Sequence, residues 1–299
     1  MNDRGPIIRN ASISSYIGAY VERQIRQKGA VRARVHSIFR NGFNLDCGDR
    51  LVFVGKSEEG LSAIGLALGS EAFELIRAAL SVGDAVRISA FFAQSDKDLG
   101  LTLTCYTRPL VTTATLPAIR SVDLSIPHVS AEQLSRSGLS QRLEAAGVRE
   151  RSGFALPPLS GLYEKFVDTP EGLAEETVRS LIGAGVGLTP SGDDFLQGMI
   201  LFERITGSGT RLADLTMKLL ERRSTTDISM AYYRALLGGY ANTAWIELCE
   251  AIRSADEART IEAIRRIQAY GATSGSDSLF GVLTFLKQAN WRLLWEKES

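Results

Sequence analysis

The chain has 299 residues, enough to bury a sizeable core and to form two domains. Its 34 Lys and Arg balance 34 Asp and Glu, so no broad electrostatic field favours nucleic acid or an anionic membrane, and no apolar run is long enough to span a bilayer. Cys47, Cys105 and Cys249 are scattered without metal-ligand spacing and read as buried, reduced thiols; the opening Met-Asn-Asp-Arg-Gly-Pro lacks the basic-then-apolar build of a secretory signal, so the cytoplasm is expected.

Residues 12–28 predict a helix, with Ile13, Tyr16, Ile17, Tyr20 and Ile25 loosely on one face. The period then changes to two: Val31, Ala33 and Val35 alternate with Arg32, Arg34 and His36 as in a half-exposed strand. Asn41-Gly42 is a hairpin-turn signal leading to Phe43–Asp46. Leu51–Val54 and Ala85–Phe92 predict further strands. Leu101, Leu103 and Cys105 close a hairpin across Ser95–Gly100, and one helix is expected over 70–81. Residues 107–128, with Pro109, Pro117, Pro127 and several threonines, read as a linker or extended segment. Beyond 130 the pattern is helical, with helices expected near 130–147, 159–167, 171–182, 191–205, 211–223, 227–237, 241–254, 256–270 and 275–295.

The expected class is α+β. A mainly antiparallel, barrel-like β module (1–125) precedes an all-α domain (126–299).

The most informative stretch is Gly183-Ala-Gly-Val-Gly-Leu-Thr-Pro-Ser-Gly-Asp-Asp-Phe-Leu-Gln-Gly198. Gly183, Gly185 and Gly187 fall at every second position, leaving backbone N–H groups able to approach a ligand. Ser191 with Asp194 three residues on has the spacing of a capping box at a helix start. A glycine turn leading into a helix N-terminus favours an anion, because unpaired N–H groups and the dipole act together. A capping box alone would be ordinary structure, but it leaves the alternate glycines, Asp193 and Gly198 unexplained.

The pattern recurs. Ser274, Gly275, Asp277, Leu279 and Gly281 repeat the spacing of Ser191, Gly192, Asp194, Leu196 and Gly198, with Thr273 and Thr189 just upstream. Two such copies predict a pseudo-symmetric pair of helix N-termini facing a common place, unless two ordinary capped helices agree by chance. Thr225-Thr226-Asp227-Ile228-Ser229 opens a third helix, with Thr226 as N-cap and Ser229 three residues on. Converging, the three ends would form a polar pocket for small carboxylate or phosphate groups, with Arg222, Arg223 and Arg234 as nearby candidates to fork such an anion.

Other chemistries fit less well. The glycine run follows a helical stretch rather than a strand, which defeats the dinucleotide fingerprint, and no Walker lysine follows. Asp193 and Asp194 could hold Mg²⁺, although acidic residues in a first helical turn more often complement the dipole; no cofactor is otherwise expected. His36 and His128 lie far in sequence from both repeats, against a Ser-His-Asp triad.

The motifs G-x-G-x-G-L-T-P-S-G-D-D-F-L-x-G, T-T-x-x-S and T-S-G-x-D-x-L-x-G, over residues 183–281, closely resemble those of the AllH-type subunits of oxamate carbamoyltransferase, a bacterial family. The resemblance implies carbamoyl transfer between oxalurate and phosphate, giving oxamate and carbamoyl phosphate in allantoin breakdown, alongside an FdrA-like and one further subunit. It implies a small anionic substrate. The phosphate loop of the aspartate and ornithine carbamoyltransferases is absent, and catalysis need not reside in this subunit. On this reading Thr189, Ser191 and Asp193 are the candidate catalytic residues. Gly185, Gly187, Gly192, Thr226, Ser229, Thr273, Ser274 and Asp277 would line the substrate site, with Asp194 and Asp277 chiefly holding the caps. The alternatives are a non-catalytic anion-binding or assembly subunit, and tight helix packing through Gly198 and Gly281.

Overall fold

A computed structural model describes residues 6–90, 100–107, 111–168 and 175–288. The chain divides into two units, Met1–Leu124 and Ser125–Ser299.

In the first unit β1 (Ala11–Ser14) runs directly into α1 (Ser15–Lys28). Ser14 caps the helix by accepting from the Ile17 N–H at 3.2 Å, and left-handed Gly29 ends it. The sequence predicts helix from residue 12. Ala11–Ser14 instead pairs on both sides, antiparallel with β5 (Gly65–Leu68) and parallel with β9 (Ile119–Val122), and is buried throughout, so no alternation marks it. The order continues through β2 (Val31–Ile38), β3 (Gly42–Asp46), β4 (Leu51–Lys56), α2 (Ser70–Ala79), β6 (Ala85–Ala90), β7 (Leu101–Tyr106) and β8 (Val111–Leu116).

The strands form one sheet in the order β8-β7-β6-β2-β3-β4-β5-β1-β9, antiparallel except at β1–β9 and β4–β5. The backbone before β1 reaches back to β8. Ile8 N–H donates to the Thr115 carbonyl at 2.7 Å and Thr115 N–H to that of Pro6 at 3.0 Å, so the sheet nearly closes into a barrel. The expected β2–β3 hairpin and β6–β7 pairing are both present. The tip of the latter, with Phe91 and Phe92, lies outside the described residues. Of the two readings of 107–128, linker or extended segment, the second holds: 111–116 pairs with β7 and 119–122 with β1. Thr112, Thr113 and Thr115 occupy half-exposed positions of β8, and Pro117 falls between the two strands, so the stretch reads as irregular from composition alone.

The second unit is helical: α3 (Ala131–Ser137), α4 (Leu139–Ala145), α5 (Leu159–Asp168), α6 (Glu175–Leu181), α7 (Ser191–Thr206), α8 (Arg211–Leu220), α9 (Asp227–Leu237), α10 (Thr243–Arg253), α11 (Glu257–Gln268) and α12 (Ser274–Lys287). Left-handed Gly138 splits the single helix expected over 130–147. The far ends of two expected helices, at 171–174 and 289–295, lie outside the described residues.

At the centre are α7, in which only Gln197 and Arg204 escape burial, and α12. α7 is buried nearly all round because neighbours cover it on every side, its polar residues Asp193, Asp194 and Glu203 included. Phe154, Phe195 and Phe280 meet there, with ring centroids 4.9 to 5.7 Å apart. The two helices are pressed together at glycine. A Cβ on Gly198 would lie 1.9 Å from the Ser278 carbonyl oxygen, and one on Gly281 would lie 2.0 Å from that of Phe195. The repeated pattern is therefore a structural pseudo-symmetry.

Candidate functional site

The Gly183–Pro190 loop carries the site. Gly183, Gly185 and Gly187 have φ of 71°, 114° and 99°, while the residues between them keep negative φ. Only glycine takes up such values without strain. Alternating φ sign turns successive N–H groups to a common side, the arrangement that makes anion-binding concavities in backbone. The loop folds over the start of α7. Ala184 N–H donates to Leu181 O at 3.0 Å and Gly192 N–H to Ala184 O at 2.8 Å. A Cβ on Gly185 would lie 2.8 Å from the Ser191 nitrogen. Residues 185–188 are exposed, and among the described residues the N–H groups of 185–189 meet no protein acceptor.

Beneath the loop the helix starts differ from the expected caps. Ser191 is the first helical residue rather than the N-cap, because the Pro190 carbonyl already takes the Asp193 and Asp194 N–H groups at 2.9 and 3.1 Å. The Ser191 hydroxyl turns instead toward Gly153 and Asp277. Ser274 repeats this. Thr273 precedes α12 without a side-chain cap, and Ser274 Oγ lies 2.7 Å from Thr189 Oγ1. Asp194 and Asp277 reach across to the other repeat as well as within their own: Asp194 faces the Ser274 and Thr189 hydroxyls, while Asp277 accepts the Gly153 N–H at 2.8 Å and faces Ser191 and Thr273, the residue that precedes its own helix. Each repeat's carboxyl thus meets the other repeat's serine. Thr226 caps α9 as its sequence predicts, accepting the Ser229 N–H at 3.1 Å, and its hydroxyl also donates to Leu188 O at 2.6 Å.

Asp193 ties the loop to α9. It is fully buried; Oδ1 accepts from the Gly183 N–H at 3.1 Å and the Tyr233 hydroxyl at 3.2 Å, and Oδ2 accepts from the Thr225 hydroxyl. Burial raises its pKa above the ordinary value, opposed by these donors and the buried Ser229 hydroxyl. Asp194 is raised well above it, first by burial and then by the charge of Asp277, with the Ser274 and Thr189 hydroxyls acting the other way. Burial also raises Asp277. Asp194 and Asp277 each keep one oxygen, Oδ2, without a hydrogen-bond partner among the described residues.

The fold brings together the starts of α7, α9 and α12, and with them Gly185, Gly187, Thr189, Ser191, Gly192, Asp193, Thr226, Ser229, Thr273, Ser274 and Asp277. The Gly192 N–H is engaged by Ala184, and a Cβ there would meet Leu181 O at 2.0 Å. Gly275 meets Ile267 O at 1.8 Å in the same way. Sequence reasoning misses Tyr233 and Gly153, which carry no motif and come from 40 and 124 residues away from their partners. Among the described residues no group of three or more His, Cys, Asp or Glu side chains could hold a metal ion, and no helix is long and apolar enough to cross a membrane.

No solved structure matches the chain. Residues 181–286, from the end of α6 to the end of α12, match the family model of the oxamate carbamoyltransferase subunit AllH, and this segment builds most of the site.

Proposed function

We propose that this chain is the subunit of an oxamate carbamoyltransferase that holds a small anionic substrate, oxamate, oxalurate, phosphate or carbamoyl phosphate, against the glycine loop. One observation carries the reading: five consecutive N–H groups, 185–189, stand without acceptors among the described residues, on an exposed loop whose φ alternates in sign. These donors are held in place before substrate arrives, so they can stabilise an oxygen that gains charge at the carbamoyl carbon. Thr189, Ser191 and Ser274 supply hydroxyls at the loop's foot. Asp193 positions the loop, its two oxygens being taken by Gly183, Tyr233 and Thr225. Burial raises the Asp194 pKa well above the ordinary value, which favours its neutral form over the carboxylate. The FdrA-like and further subunits would complete the reaction.

A second reading, assembly without turnover, draws on Val186, which is 92% exposed at the loop tip and would suit a partner's surface.

Calorimetric titration of the full chain with oxamate, carbamoyl phosphate and phosphate tests the first reading, on wild type and Gly187→Ala. A Cβ on Gly187 meets no atom within 4 Å, so this change strains only the loop backbone. Binding by wild type, weakened about tenfold or more in the variant at an unchanged thermal midpoint, is expected. Equal binding by both would remove the loop from the site, and no binding by either would favour assembly.

A further inference from the structure

The connector from α8 to α9 touches the glycine loop at both of its ends. At one end the Arg223 Nε–H donates to the Ile182 carbonyl at 2.7 Å, immediately before Gly183. In the middle, Ser224 O and Thr225 Cα stand 3.4 and 4.0 Å from where a Gly183 Cβ would be. At the other end the Thr226 hydroxyl reaches Leu188 O. The loop itself offers neutral N–H groups only, and the carboxyls beneath it, Asp193, Asp194 and Asp277, do nothing to attract an anion.

We propose that Arg223 is the cation of this site, and that it forks a substrate oxyanion presenting two oxygens, a carboxylate or a phosphate, beside the loop; the inference rests on the loop being the anion site. A guanidinium is planar and rigid, so fixing Nε to Ile182 O fixes the direction of the remaining fork, Nη1 and Nη2. Among the described residues Arg223 makes no ion pair and no other side-chain hydrogen bond, so that fork is unengaged. Capping the end of α6 would need only one donor, which a lysine could provide. Bidentate capture of an oxyanion needs the arginine. Neighbouring Arg222 is exposed with no such anchor, and serves as the matched control.

The test is titration of the full chain with inorganic phosphate and, separately, oxamate, on wild type, Arg223→Lys, Arg223→Gln, Arg222→Gln and Gly187→Ala. The probe whose affinity depends on Arg223 identifies the group it holds. The expected result is that Arg223→Gln and Arg223→Lys both weaken one probe by about tenfold or more, while Arg222→Gln matches wild type and thermal midpoints stay together. Rescue by Arg223→Lys would reduce Arg223 to a helix cap and overturn the fork. If Arg223→Gln binds both probes like wild type while Gly187→Ala does not, Arg223 is excluded and the loop stands. If wild type binds neither probe, the loop reading and this one fall together.

Discussion

Gly198 and Ser278 meet backbone to backbone: a Cβ on Gly198 would lie 1.9 Å from the Ser278 carbonyl oxygen, and the pseudo-symmetric pair, Gly281 and Phe195, repeats the contact at 2.0 Å. Neither alanine can be accommodated by a side-chain movement, so α7 and α12 would have to separate. Alanine improves helix propensity by about 1 kcal/mol, yet overpacking outweighs it, and Gly198→Ala or Gly281→Ala is expected to lose about 2 kcal/mol or more. Chemical denaturation measures this. A neutral or stabilising effect would mean that the crossing is looser than the contact requires.

Asp194 gives stability a pH dependence of definite sign. Its folded pKa is raised well above the ordinary 3.8, so the folded state retains a proton that the unfolded chain releases. Stability therefore falls as pH rises from about 3.8 toward the raised value and levels off above it. Asp193 and Asp277 are raised too and act in the same direction. Asp194→Asn should flatten, without abolishing, the fall in thermal midpoint across a pH series. An unchanged slope would show that Asp194 ionises normally in the folded protein.

Tyr233 holds Asp193 without belonging to any motif. Tyr233→Phe removes one donor from a buried carboxyl while Gly183 and Thr225 remain. The expected cost is about 1–3 kcal/mol, with faster hydrogen exchange at the Gly183 amide and weaker anion binding. If stability drops but Gly183 exchange and affinity do not change, Asp193 does not position the loop.

Among the strands, those legible in the sequence have one wet face. The β2 alternation and the Asn41-Gly42 turn identify the module, and long apolar periods identify the helices. β1, buried along its whole length, the threonine-rich β8 and the four-residue β9 carry no such contrast. At the site, the S-G-x-D-x-L-x-G repeat is readable because Gly198 and Gly281 must be glycine where two backbones touch. The capping box is misread because Ser and Asp at that spacing suit either a cap or a cross-repeat contact. Only the fold shows Ser191 turned to Asp277 and Ser274 hydrogen-bonded to Thr189.

The most direct measurement is an amide-resolved titration of the full chain with oxamate or carbamoyl phosphate, following the backbone N–H signals of residues 185–189. If these N–H groups bind the substrate anion, their resonances should move downfield together and saturate, with the Gly183 and Gly192 amides, already engaged by Asp193 and Ala184, changing less. Saturable binding that leaves 185–189 unmoved would contradict the loop as the anion site.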